Sequence, residues 1–443
     1  MERYIYFGLI TLFTLAACDK NEVLDEQTPS RQKASGKIIY VDNVNVEVAR
    51  VVAEGFYADA NGNPSRVQIL SIDSIIDWEG KTAIYVFDFD PQGFVLTSAD
   101  IRNEPIIGYS SEINFLTGKK DMPAGLVCLL AETMIVNRWL QEAEQKQEDE
   151  PQKIIGNNTN SWFSELARRN NEFSFRYNPD VIIFTDPCDY QPRTLVSTEV
   201  QGEFDYYCKT KWDQDEPYNY FVPNYYPAGC VAVATAQIMK FHQRPAVFNW
   251  SIMPNSCTST YSTVSAGEWE VARLLKDIGD RVDMDYGVDR SGADSDKARK
   301  ALENNYGYSK SAEYKDYNFQ RVQTELRTQK HPVYVEGYGT QEKVIDWGWL
   351  LQYSKYSDGH AYIIDGITNL VSTYQYTCNG ETKAYKNYRE LWHYNFGWSG
   401  DYDFWFSNSI VDIAGRYKDK DVIMGKIFPN FKYYRKCIYD IKP

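Results

Sequence analysis

The stretch Pro227-Ala228-Gly229-Cys230-Val231-Ala232-Val233-Ala234-Thr235-Ala236-Gln237-Ile238-Met239-Lys240 decides how this chain is read. Pro227 and Gly229 break what precedes them, and the small and apolar run that follows predicts a helix buried on nearly all sides. Cys230 then stands at the helix N-terminus. There the unpaired backbone N–H groups favour thiolate, the nucleophilic form of cysteine. Small neighbours leave room for a substrate backbone to approach. A cysteine in such a run also suits a purely structural role, since free cysteines are among the most buried residue types. The rest of the chain has to separate these readings.

Four histidines are candidates for a partner: His242, His331, His360 and His393. Asp358-Gly359-His360-Ala361-Tyr362-Ile363-Ile364-Asp365-Gly366 places His360 after a turn glycine, at the mouth of an apolar strand. It follows Cys230 by 130 residues (230 to 360), and in papain-type enzymes the base lies roughly 130–150 residues after the nucleophile. His242 falls at the end of the Cys230 helix, His331 precedes a proline, and His393 sits in an aromatic-rich strand. Acyl transfer also needs donors aimed at the developing oxyanion. Gln214, in Trp212-Asp213-Gln214-Asp215-Glu216-Pro217-Tyr218-Asn219, offers one, and the Cys230 amide a second. Asn395, in His393-Tyr394-Asn395-Phe396-Gly397-Trp398-Ser399-Gly400, can hold the base. Alone, Gln214 suits a surface turn and Asn395 a β-bulge. The order Gln, Cys, His, Asn carries more weight than any member.

At these motifs, and at Val282-Asp283-Met284-Asp285-Tyr286-Gly287 and Pro332-Val333-Tyr334, the chain resembles the streptopain family of papain-like cysteine peptidases from about residue 195 to Pro443. Gly93-Phe94-Val95-Leu96-Thr97-Ser98-Ala99-Asp100 and Pro105-Ile106-Ile107-Gly108-Tyr109-Ser110 resemble the family's inhibitory propeptide. The resemblance implies an α+β fold, a papain-like two-lobe peptidase domain over 196–443 preceded by an α+β inhibitory propeptide domain over 37–195. It implies a zymogen that cleaves protein or peptide substrates. Cys230 would be nucleophile, His360 general acid and base, Gln214 part of the oxyanion hole, Asn395 the group orienting His360, and Trp398 a shield over the site. No metal or organic cofactor is expected. Phe396 stands where the family has a tryptophan, and 340–358, with Trp347, Trp349, Tyr353 and Tyr356, is longer than the family's glycine-rich loop.

At 443 residues and 51.3 kDa the chain exceeds one hydrophobic core, and two or three domains are expected. A net charge of −14 without a basic block argues against nucleic-acid partners. Ahead of the strands, Arg3, the apolar stretch 4–15 and Ala16-Ala17-Cys18 read as an export signal over 1–17. Leu15-Ala16-Ala17-Cys18 is similar to a bacterial lipobox, implying lipidation at Cys18, a tether over 18–36 and anchoring in the cell envelope, at the outer membrane or cell surface, from which the mature domain can be released. A soluble secretory peptide with an unmodified cysteine is the alternative. Runs at 38–41, 83–89 and 93–97 read as strands and Ala124 to Glu148 as a helix, with the main boundary at 193–198. Six further cysteines allow 15 connectivities, none of which the sequence selects. The acidic stretch from Asp283 to Asp296 lacks the glycine and glutamate spacing of a calcium loop and reads as a solvated border of the cleft. Two other functions fit the same residues: a surface binding lipoprotein without turnover, and transfer of the acyl group to an amine instead of water.

Overall fold

The computed structural model describes residues 37–39, 44–62, 67–77, 79–115, 122–146, 161–162, 166, 173–175, 194–201, 204–338, 359–411 and 434–443. Cys18, the signal, the tether and the loop 340–358 lie outside them. The first two-residue-period runs form strands as expected. A short β1 (Lys37–Ile39) is followed by α1 (Val46–Ala60), then β2 (Ile69–Ile76), β3 (Thr82–Phe89), β4 (Phe94–Ser98) and β5 (Ile106–Ser110), an antiparallel meander. Alternation along β3 sends Ile84 and Val86 to one face and Phe87 and Phe89 to the other. Helix α2 (Ala124–Lys146) covers the first face and α1 the second.

After β6 (Phe173–Phe175) and β7 (Thr194–Gln201), the second half opens with the predicted helix, α3 (Cys230–His242). Residues Val231 to Met239 of α3 are all buried, as the absence of a polar face requires. Helices α4 (Ala266–Arg281) and α5 (Ser295–Asn305) complete a helical lobe around it, with the small hairpin β8 (Asp285–Tyr286) and β9 (Ser291–Gly292) between them. The sheet lobe follows: β10 (Glu313–Asp316), β11 (Val333–Tyr338), β12 (His360–Cys378), β13 (Glu381–Asn395), β14 (Phe404–Ser407) and β15 (Tyr434–Tyr439). This is the α+β, two-lobe architecture with an α+β domain ahead of it.

The two domains share one sheet. Its order is β10-β15-β11-β12-β13-β14-β5-β4-β3-β2, and the join is β14 against β5, with Trp405 opposite Tyr109 and Phe406 opposite Gly108. Strand β7 adds to β12 along Asn369–Gln375, so the expected boundary at 195/196 falls inside a strand of the second domain's sheet. On β12, Ala361 and Ile363 face α3, whereas Tyr362 and Ile364 face α2. Leu126, Leu129, Leu130 and Met134 of α2 share a core with Tyr362, Tyr394, Phe396 and Phe404. Each such buried side chain contributes roughly 1.5–3 kcal/mol, so apolar contact dominates the attachment of the first domain to the second.

Candidate active site

Gly229, with φ 93°, turns the chain into α3. A side chain there would strain the backbone, and its Cβ would meet Met284 Sδ at 2.7 Å. Met284 and Ser291 border Gly229 from the acidic stretch, and among the described residues no group of three potential ligands is placed to hold a metal. The half-buried Cys230 that follows does not carry the lowered thiol pKa its helix position predicts. Burial pushes its thiol up, and backbone N–H donation from Ala361, Val231 and Cys230 itself, opposed by the Glu336 charge, does not compensate. Desolvation outweighs the helix terminus.

His360 opens β12, opposite Gly337. It is 6% exposed, and its Nε2 lies 2.9 Å from the carbonyl oxygen of Phe396. A carbonyl only accepts, so Nε2 carries a proton and donates. The ring stacks with Tyr362 at 6.2 Å and Phe396 at 6.4 Å and meets Trp398 edge-on at 6.4 Å. Burial lowers its pKa to about 4 against the opposing pull of the Phe396 carbonyl, so the ring is neutral at neutral pH. Among the described residues no hydrogen bond joins His360 to Cys230. The thiol reaches the Ala361 amide, one residue beyond His360, while the imidazole sits in the aromatic layer under α2.

Gln214 lies beside the nucleophile loop: its carbonyl accepts from the amide of Ala228 at 2.8 Å. Ser399 ties the Trp398 loop to the same segment, its amide donating to Trp212 O at 3.1 Å and its hydroxyl to Asp213 at 2.6 Å. The two motifs and the Cys230 loop therefore meet. Asn395 is committed elsewhere. Its Oδ1 accepts from Gln237 Nε2 and the Gly397 amide, both at 3.0 Å, and its Nδ2 donates to Thr210 O at 2.8 Å. Trp398 is half-buried beside His360, and its Nε1 finds no acceptor among the described residues.

Sequence reasoning missed four groups. Gln237, two turns along α3 from Cys230, links Thr210 Oγ1 to Asn395 and so fastens the lobes together. Glu336, buried in β11 opposite Ala361, places a carboxylate near the thiol. Asp403 accepts from the Phe396 amide at 3.0 Å. Gly125 of α2 lies against Tyr362 and Phe396 so closely that a Cβ there would sit 2.8 and 2.9 Å from their rings. A polar residue inside an apolar run was the available signal for Gln237 and Glu336. Nothing local marks Gly125.

Residues 212–248 and 246–406 match the Peptidase C10 family, and residues 41–135 match the Spi protease inhibitor family. Two streptopains from Streptococcus pyogenes are similar to this chain, at 24% identity over 398 residues and 25% over 399, each match covering 81% of this chain and 81% of the relative. Among solved structures, a fragment of Prevotella intermedia prointerpain A is similar at 19% identity, with 85% of this chain and 99% of the fragment covered and a TM-score of 0.49.

Proposed function

We propose that the chain is the latent precursor of a cysteine endopeptidase of the peptidase C10 type, with a Spi-type inhibitor domain ahead of the peptidase, a reading supported by the family matches over 212–406 and 41–135. The observation that carries this reading is the separation of nucleophile and base. The Cys230 thiol lies at the amide of Ala361 while the adjacent His360 is tied to the Phe396 carbonyl under a propeptide helix.

In the active form His360 takes the Cys230 proton, and the thiolate adds to the peptide carbonyl carbon. The Cys230 amide and Gln214 hold the oxyanion. His360 then gives its proton to the amine as the C–N bond breaks, leaving a thioester. Next it takes a proton from water, whose oxygen adds to the thioester and expels the thiolate. Trp398, edge-on to His360, screens the ring from solvent. The reading includes export and lipid anchoring at Cys18.

The test is incubation of purified precursor, without another protease, beside Cys230→Ala. Self-cleavage of the first alone, with the processed form taking one equivalent of a peptidyl thiol reagent at Cys230, supports the reading. Slow, equal labelling of all reactive cysteines and no processing would favour the binding lipoprotein. An amine acceptor appearing in the product would assign acyl transfer.

A further inference from the structure

A second cluster of ionisable groups sits where the propeptide sheet joins the peptidase sheet. From the propeptide comes Glu112, whose carboxylate accepts from Tyr206 Oη at 2.9 Å and Lys211 Nζ at 2.8 Å. The Tyr206 ring lies flat on His393, centroids 3.9 Å apart, and His393 Nδ1 pairs with Asp365 at 2.6 Å. Asp403 shares a small cavity with Glu112, Lys211 and His393. The Lys211 stem crosses Gly400, three residues before Asp403, so closely that a Cβ on Gly400 would lie 2.8 Å from Lys211 Cδ.

Asp403 leads directly to the catalytic base. Its carboxyl accepts from the amide of Phe396 at 3.0 Å, and the carbonyl of that same residue holds His360 Nε2. We propose that Asp403 is a positioning residue for His360, acting through the Phe396 backbone, and that Glu112 and Asp403 compete for the Lys211 ammonium. The inference rests on the peptidase reading above.

The competition follows from what each group already holds. Burial would raise the Glu112 carboxyl, but hydrogen bonds from Lys211 and Tyr206, with the charges of Lys211 and His393, keep it below the usual range. Asp365 is engaged by His393 and by the amide of Cys208 at 3.1 Å. Asp403 is left desolvated, its pKa raised to about 7 by burial and by Asp365 against His393, the Phe396 amide and Lys211. When Glu112 departs with the propeptide, Asp403 is the carboxylate in the same cavity to which Lys211 can turn. An ionised acceptor binds the Phe396 amide more strongly than a neutral one, and the shift is felt at the carbonyl that restrains His360.

The experiment follows the imidazole Hε1 resonance of His360 with pH in the full chain carrying Cys230→Ala, the signal assigned by its loss in His360→Gln. In the parent the resonance reports a step near pH 7, apart from the imidazole's own titration near 4. Asp403→Asn keeps an oxygen for the Phe396 amide and removes that step. Glu112→Gln frees Lys211 and moves the step to lower pH, and Lys211→Met moves it higher. A profile unchanged across all three variants overturns the proposal, as does a parent without the step. Should Asp403→Asn fail to fold, the opposite shifts in the other two decide. This readout needs no turnover: wild-type chain that never cleaves and never labels at Cys230 sinks the peptidase reading and leaves the resonance test standing.

Discussion

The Nε2 of His360 donates to the carbonyl oxygen of Phe396 at 2.9 Å. That single bond keeps the imidazole among Tyr362, Phe396 and Trp398 while the Cys230 thiol lies at the next residue's amide. Both titratable partners are thereby neutral, the thiol because burial raises it and the imidazole because burial lowers it. Placement and desolvation both act to keep this pair latent.

At Gly125 the propeptide helix packs closely against this arrangement. Gly125→Val would force Tyr362 and Phe396 aside, at a cost of about 1–3 kcal/mol for overpacking. The expected outcome is a precursor that melts several degrees lower and processes itself faster. A lower melting temperature with unchanged processing would show that α2 does not restrain the base through this contact.

A cut near residue 190 is expected to leave the pieces together. The β14–β5 pairing and the core shared by Leu126, Leu129, Leu130, Phe396 and Phe404 do not depend on that covalent link. Size-exclusion chromatography after a single cut in the Cys230→Ala chain should show one peak holding both fragments. Prompt separation in native buffer would contradict the weight given to the shared sheet and core.

Asn395→Ala removes three hydrogen bonds and strands the buried Gln237 amide. A buried unsatisfied group costs about 1–3 kcal/mol, so denaturant unfolding should show a loss of that size. The pH response of His360 in the precursor should stay as it was, since the two side chains are not bonded here. A changed response would give Asn395 a direct hold on the base already in the latent form.

Much of this geometry was legible in the sequence, and the limits are physical. The run from Val231 to Met239 predicts its own burial because it offers no polar face, and the strands at 83–89 and 93–97 follow from two-residue alternation. Helix α2 and the Gln214, Cys230 and Trp398 loops also lie where their residues suggest. Neither the direction of the His360 side chain nor the acidity of Cys230 could be read this way. Both depend on which face of β12 a distant helix covers, and on desolvation that only the packed chain produces. The shared sheet escaped for a similar reason: edge strands pair through backbone groups that every residue carries.

Glu268 ties the opening of α4 to acid stability. Burial raises it, but donors from Ser259, Ser265 and Thr258 bring its pKa to about 2, below the ordinary 4.5. A depressed carboxylate contributes stability that is complete above its unfolded pKa and is lost as pH falls from about 4.5 through about 2. Glu268→Gln should cost about 1 kcal/mol at neutral pH, as a weakened capping box does, and flatten the melting temperature across that acid window. An acid limb as steep as the parent's would assign the loss to other carboxylates.

The most direct test is the pH dependence of Cys230 alkylation by a small neutral reagent, measured on intact precursor and on the same protein after processing. For the precursor the account predicts a slow rate at neutral pH that rises only above the ordinary thiol range, and after processing a fast rate that persists well into acid, as a thiolate–imidazolium pair requires. Identical profiles before and after processing would contradict it.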